Sequence, residues 1–350
     1  MKTDLKPNIK NFTLHQLSTW LKSHGIKPYR AKQIFQWVYV RQVESFDAMT
    51  DLAKNRREFL STHFAIDGLD ETRVETSTDG SKKYLFRLHD GEYMETVLIP
   101  EKKHYTLCIS CQVGCAQGCK FCLTAQGGFV RNLKLGEITG QVLHVKKALS
   151  AKKPLANIVF MGMGEPLANY ENVINAANII TDAKYGMQFS NRKVTISTAG
   201  IISKLSGLGQ DTKVNLAVSL NAADNDTRSK LMPVNNRYPL EKLIHECKKY
   251  SLATRRKITF EYILLKNIND SMEDAKGLAK LLGSIKAKVN LIPFNEYSTS
   301  NFARPDESVV DMFCDILSKN GLTAMVRRSK GEDISAACGQ LRVNTQGEAP

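Results

Sequence analysis

The chain has 350 residues, 42% hydrophobic and 24% charged, the balance of an ordinary globular protein with room for one large domain or two smaller ones. Its 49 Lys and Arg against 35 Asp and Glu leave a net charge of +14, which points to a polyanionic partner, nucleic acid before membrane. No apolar run approaches the roughly 20 residues of a membrane span, and Met1 to Lys10 lack a signal-peptide core, so membrane and secreted proteins are excluded and a cytoplasmic one is expected.

Leu14, Leu17, Trp20 and Leu21 recur at helical spacing behind a Thr13 cap. A second helix is expected after Pro28, with Ile34, Phe35 and Val38 apolar. From Thr72 the period shortens. Asp79-Gly80 and Asp90-Gly91 separate strand-like runs at Arg73–Thr76, Tyr84–Leu88 and Tyr93–Ile99, which reads as two successive hairpins.

Beyond Pro100 strands alternate with amphipathic helices. The expected strands are Tyr105–Ile109, Ile158–Met161, Val194–Ser197, Val214–Ser219, Ile258–Leu264 and Val289–Pro293, with helices such as Ile138–Leu149, Leu240–Tyr250 and Met272–Leu282 between them. That order calls for a parallel sheet with right-handed crossovers. Six units without a strong Gly-x-Gly-x-x-Gly motif favour an incomplete barrel, whose chemistry sits at the C-terminal ends of the strands. The fold class is therefore α/β: an incomplete (β/α)6 TIM-like barrel behind a small N-terminal helical module and β-meander. The expected division is residues 1–100 as an accessory, RNA-binding domain, 101–342 as the core, and 343–350 as a tail.

Five of the eight cysteines fall within fifteen residues, at Cys108, Cys111, Cys115, Cys119 and Cys122. Such crowding in a long basic chain favours metal or redox chemistry over a disulfide framework. Cys115, Cys119 and Cys122 have the spacing C-x3-C-x2-C directly after the first barrel strand. Thiolates are the soft ligands of iron–sulfur clusters, and three of them leave one iron of a four-iron cluster open. Gly114 and Gly118 suit the tight path of the loop, and Phe121 is placed to shield the cluster. A structural zinc site, the alternative, would separate its ligand pairs by about a dozen residues or more.

With that loop the chain resembles the radical S-adenosylmethionine superfamily. The stretches Cys108-Ile-Ser-Cys-Gln-Val-Gly-Cys115, Phe121-Cys-Leu-Thr-Ala-Gln126, Met161-Gly-Met-Gly-Glu-Pro166 and Ala336-Ala-Cys-Gly-Gln340 resemble the RlmN/Cfr RNA methyltransferases. The resemblance implies a radical SAM barrel holding a [4Fe-4S] cluster on Cys115, Cys119 and Cys122, with S-adenosylmethionine bound by Gly164, Glu165, Ser197, Ser219, Leu220, Asn221 and Asn295. Many members carry His where this chain has Asn221. It further implies that Cys338 accepts a methyl group and carries it to RNA, that Cys108 forms a transient disulfide with Cys338, and that Glu95 is the proton acceptor. Cys111, Cys247 and Cys314 match no role; helical spacing with Phe313 and Leu317 places Cys314 in the core.

The implied activity methylates C2 of adenosine in 23S rRNA and in tRNA, consuming two S-adenosylmethionines per turnover. One methylates Cys338; the other yields a 5′-deoxyadenosyl radical that activates the S-methyl group. This division suits the chemistry, because adenine C2 is electron-poor and a poor partner for an electrophilic methyl. The alternatives are a C8 methyltransferase of the Cfr type and, from another class, a zinc-bound RNA-binding module. Leu123-Thr-Ala-Gln-Gly-Gly-Phe129 and Asn290-Leu-Ile-Pro-Phe-Asn295 resemble the C2 branch. The adenosine must be flipped or unstacked to react. Arg30, Lys32, Arg41, Arg56 and Arg57 offer a backbone-binding face. An electron donor such as flavodoxin or a reductase, and a monomeric state, complete the expectation.

Overall fold

The computed structural model describes residues 6–150, 152–250 and 256–341; the tail expected at 343–350 lies outside them. The Thr13 cap forms a reciprocal pair with Gln16: the Gln16 N–H donates to Thr13 Oγ1 at 3.2 Å and the Thr13 N–H donates to Gln16 Oε1 at 2.8 Å. This capping box starts α1 (Leu14–Ser23), which buries Leu17 and Leu21 completely. The second helix, α2 (Arg30–Phe35), runs on into a π turn over Gln36–Val40. A third, α3 (Lys54–His63), was not expected. Leu60 is its one buried residue, too thin a periodic signal to recognise.

Strands β1 (Asp70–Thr76), β2 (Lys82–Arg87) and β3 (Tyr93–Pro100) form the expected antiparallel meander. Its outer strand β1 carries charges along an exposed edge, which discourages further pairing. Next come β4 (Tyr105–Cys108), a small hairpin of β5 (Gln112–Gly114) and β6 (Phe129–Asn132) that encloses α4 (Leu123–Gln126), and then α5 (Leu135–Ala148). The remaining units are β7 (Leu155–Phe160), α6 (Tyr170–Thr181), β8 (Val194–Thr198), α7 (Ile202–Asp211) and β9 (Asn215–Ser219). After β9 the chain forms α8 (Asn225–Leu231), α9 (Val234–Arg237) and α10 (Leu240–Lys249). It then continues through β10 (Ile258–Leu264), α11 (Met272–Leu282), β11 (Ala287–Pro293), α12 (Glu307–Lys319) and β12 (Thr323–Val326).

One ten-stranded sheet results, in the order β1-β2-β3-β4-β7-β8-β9-β10-β11-β12. From β4 onward every neighbouring pair is parallel. The six expected βα units are present, and β12 adds a seventh parallel strand. That strand has only four residues, half exposed, so its sequence carries little alternation. Because β3 pairs antiparallel with β4, the sheet runs continuously across Pro100. The middle of β9 is apolar on both faces, with Leu216, Ala217 and Val218 all fully buried, as parallel strands covered by helices favour.

The segment after β12 bridges the two ends of the sheet. Asp333 accepts hydrogen bonds from Ser77 Oγ at 2.5 Å and the Thr78 N–H at 3.0 Å, and Asp79 accepts one from the Gly331 N–H at 2.9 Å. Lys330 Nζ donates to the Pro100 carbonyl. These bonds hold residues 327–341 across the open side of the barrel. No helix among the described residues is long and apolar enough to cross a membrane.

Candidate active site

At the C-terminal ends of the strands a cavity of about 160 Å³ is lined by Cys115, Cys119, Cys122, Gly164, Glu165, Ser197, Ser219, Asn221 and Cys338. Three sulfurs of one short loop, the ends of β7, β8 and β9, and a cysteine from the far end of the chain thus meet in one place. None of the eight cysteines, all among the described residues, forms a disulfide. Burial raises the thiols of Cys115 (to about 12), Cys119 and Cys122. Each becomes a thiolate readily only when a metal takes the proton's place. Phe121 is buried against this cavity and packs with Ala199, Leu231 and Phe294, which gives the three-cysteine loop an apolar neighbour.

Glu165 is held by three donors while it lines the cavity. Its carboxylate accepts bonds from the Leu167 N–H at 2.9 Å, Thr198 Oγ1 at 2.7 Å and the Ala199 N–H at 2.7 Å. Burial raises its carboxyl, and these donors oppose the rise. Gly164 has φ +102°, and a Cβ there would lie 2.5 Å from Gln112 Cβ. Only glycine fits, which lets the Glu165 N–H reach Gln112 Oε1 at 2.8 Å.

Asn221 sits at φ +59°, a left-handed conformation that asparagine tolerates better than most residues. Its Oδ1 accepts from the Ile263 N–H at 2.8 Å, and its own carbonyl accepts from Asn269 Nδ2 at 2.8 Å. Leu220 and Asn295 are buried but do not line the cavity. The Asn295 Oδ1 has no partner among the described residues, an acceptor suited to a polar ligand group.

A second, larger cavity of about 660 Å³ runs down the barrel from the same place. Cys338 lines both cavities, and Cys108, near the end of β4, lines the second. TIM barrels are normally filled by branched side chains. Here Thr106, Asn157, Thr195, Asn215, Thr259 and Asn290 face inward instead and leave the interior hollow. Arg192, Lys193, Lys288, Arg327 and Arg328 border it.

Cys338 is accessible to this internal space yet surrounded by protein, so desolvation and the nearby Glu261 carboxylate raise its thiol to about 11. Burial also raises Cys108, and the Cys338 charge adds to the effect. Glu95 on β3 is buried outside both cavities, beside Met163, and pairs with Lys83 Nζ at 3.5 Å. Cys111 and Cys247 are buried in the main core, and Cys314 packs partly buried against it.

Sequence reasoning missed Arg228. This fully buried guanidinium on α8 donates to the carbonyls of Ala199 at 2.8 Å, Ser219 at 3.2 Å and Leu220 at 3.0 Å, and to Asn235 Oδ1 at 2.9 Å. It ties the loops after β8 and β9 together without touching an acid. Nothing in its local sequence distinguishes it from a surface arginine. Glu261 on β10 was also missed. It lines both cavities, accepts from Asn290 Nδ2 at 2.9 Å, and has its carboxyl raised by burial.

Residues 7–66 match the profile of the ribosomal RNA large subunit methyltransferase N-terminal domain, and residues 109–279 match the radical SAM superfamily. A dual-specificity RNA methyltransferase RlmN from Desulfosudis oleivorans is 56% identical over 97% of this chain and 91% of its own length. The chain belongs to the RlmN family of radical SAM RNA methyltransferases. A second RlmN, from Geotalea uraniireducens, is 50% identical over 96% of this chain and 97% of its own. The crystal structure of a radical SAM methyltransferase from Sphaerobacter thermophilus superposes with a TM-score of 0.89 at 43% identity, covering 96% of this chain and 99% of that one. As an RlmN-family member the chain uses a [4Fe-4S] cluster and S-adenosylmethionine. The three-thiol loop and the polar strand ends fit both.

Proposed function

We propose that the chain methylates C2 of adenosine in 23S rRNA and in tRNA, with Cys338 as the methyl carrier. The observation that carries this reading is the position of Cys338, shared between the cavity of the cluster loop and the hollow barrel interior that also holds Cys108. When bound, the cluster on Cys115, Cys119 and Cys122 supplies the single electron that S-adenosylmethionine cleavage requires.

The side chains divide the remaining work. Gly164, Glu165, Ser197, Ser219, Leu220, Asn221 and Asn295 hold S-adenosylmethionine, with Arg228 fixing the loops that carry several of them. Cys338, as a thiolate, takes a methyl group from one S-adenosylmethionine and later presents its S-methyl carbon to the adenine; a second S-adenosylmethionine is consumed in activating that carbon. After the adduct has lost its unpaired electron and the ring proton, Cys108 as a thiolate attacks the Cys338 sulfur. The C–S bond breaks with its electron pair on the carbon, which takes a proton and leaves with the RNA as a methyl group. The disulfide that remains is reduced by an external dithiol before the next turnover. Glu95 takes the ring proton once its carboxylate leaves Lys83 and turns into the cavity.

The RNA reaches the site through the hollow interior, where Arg192, Lys193, Lys288, Arg327 and Arg328 meet its phosphates. The accessory module of residues 1–100 adds Arg30, Lys32, Arg41, Arg56 and Arg57. Arg41 lies over the Trp37 ring at 3.9 Å, and Arg30 over Tyr29 at 4.8 Å, an aromatic–cationic face suited to RNA. The enzyme acts in the cytoplasm as a monomer and takes its electrons from a flavodoxin or a reductase.

Anaerobic reaction of the iron-loaded chain with each RNA, followed by mass spectrometry of the digested nucleosides, tests this reading. It predicts 2-methyladenosine. Formation of 8-methyladenosine would favour the Cfr-type alternative, and unmodified RNA would reject both.

A further inference from the structure

The cluster loop is flanked by an exposed apolar hairpin. Residues 126–130 are all exposed. Phe129 (47%) and Val130 (52%) are adjacent members of the small set of large hydrophobics the fold leaves in solvent. They begin β6, the outer strand of a two-stranded sheet with no third neighbour. The hairpin is coupled to the first ligand position: the Cys115 N–H donates to the Gly128 carbonyl at 2.7 Å. On the other side the Lys120 N–H donates to the Leu231 carbonyl at 2.9 Å, which fixes the α8–α9 segment beside the loop.

The two chain segments beside the patch carry cations and no acids. No acid occurs between Glu101 and Glu137, nor from Thr227 to Leu240. Arg131 is neutralised by Asp90 and Glu137, and Arg228 is buried. Lys120, Lys134, Lys230 and Arg237 remain, all exposed and without an ion pair among the described residues. The patch lies at the C-terminal ends of the strands, whereas the cations Arg192 and Lys193 precede β8 at the opposite end of the barrel.

We propose that the β6 face, centred on Phe129 and Val130 and ringed by Lys120, Lys230 and Arg237, is the docking surface for a small acidic one-electron carrier protein. This proposal rests on the cluster reading above. One electron leaves the reduced carrier, which is oxidised by one electron, and enters the cluster; no bond in this chain is made or broken. An apolar centre with a cationic rim suits such a partner, because electron-transfer contacts are small and short-lived and opposite charge speeds the encounter. Arg192, Lys193 and Lys288, three of the cations assigned to RNA, lie toward the other end of the barrel, which leaves the β6 face to the carrier.

The test uses the iron-loaded chain and a flavodoxin as the acidic probe. Calorimetry at low salt reads the dissociation constant for the wild type, for Phe129→Ala with Val130→Ser, and separately for Lys230→Glu with Arg237→Glu. Each variant is expected to weaken binding about tenfold, the equivalent of 1.4 kcal/mol. Iron content, and S-adenosylmethionine cleavage driven by dithionite, should stay at wild-type levels. Unchanged flavodoxin binding in both variants would overturn the proposal. So would weaker RNA binding with flavodoxin binding intact, which would make the patch an RNA contact. Absence of iron from the wild type would reject the cluster reading itself, a separate failure.

Discussion

The Leu123 N–H donates to the Gly339 carbonyl at 2.7 Å, joining the residue after the third cluster-loop cysteine to the residue after Cys338. Thr124 Oγ1 adds a second bond, to the Leu341 carbonyl at 2.5 Å. Two segments more than two hundred residues apart in sequence are thereby clamped side by side. The spacing between Cys338 and the three-cysteine loop is set by bonds to the backbone on either side of them, one of them from the short Thr124 side chain, as preorganised chemistry requires.

Substitution at that clamp tests its purpose. Gly339 has φ +83°, and a Cβ there would stand 3.3 Å from the Phe121 carbonyl oxygen. Gly339→Ala therefore combines about 1–2 kcal/mol of left-handed strain with a tight contact. We expect turnover to fall about tenfold or more with iron content unchanged. Loss of iron with loss of turnover would show that the segment supports the cluster loop rather than positioning Cys338.

The cysteine roles separate cleanly by variant. Cys119→Ala should lose the cluster, read as iron content and the charge-transfer absorption. Cys338→Ala should keep iron and lose all turnover. Cys108→Ala should keep iron but stall with RNA covalently attached to Cys338, seen as a slow-migrating band on a denaturing gel. Free product at wild-type rate from Cys108→Ala would remove Cys108 from the mechanism.

Cys338 also predicts a pH dependence. With its thiol raised to about 11, the thiolate is the minor form at neutral pH. The nucleophilic fraction grows about tenfold per pH unit until that value is approached. Alkylation of Cys338 by iodoacetamide, followed on its own peptide, should still accelerate about tenfold between pH 9 and pH 10. A rate that levels off between pH 9 and pH 10 would show an ordinary exposed thiol.

Arg228 should be costly to remove. Arg228→Met leaves the carbonyls of Ala199, Ser219 and Leu220 short of a donor, at about 1–3 kcal/mol for each group left unsatisfied. The expected result is a lower melting temperature together with at least tenfold weaker S-adenosylmethionine binding. Weaker binding without a melting shift would place Arg228 in direct contact with the ligand instead.

The sequence made the barrel legible wherever pattern and local chemistry agree. The Thr13 cap, the Asp-Gly turns and the apolar runs of the six main strands each signal their element through nearby residues. The three-cysteine loop was visible in its own spacing, whereas the Gly164-Glu165 pair was singled out only by the family resemblance. What was hidden depends on neighbours distant in sequence. Arg228 is identified only by the three carbonyls it meets, β12 only by its pairing with β11, and the bridge of Asp333 to Ser77 spans 256 positions. The hollow barrel was hidden too, because a Thr or Asn in a strand does not reveal whether it faces solvent or a cavity.

The most direct test of the carrier mechanism follows the hydrogens of the methyl group. S-adenosylmethionine bearing a trideuterated methyl is supplied to the iron-loaded chain whose Cys338 has been cleared of prior methylation, and the RNA product is weighed. If the group rests on Cys338, loses one hydrogen there and regains one from solvent or protein on the RNA, the adenine methyl carries two deuterium atoms. A product with all three would mean direct transfer and contradict the account.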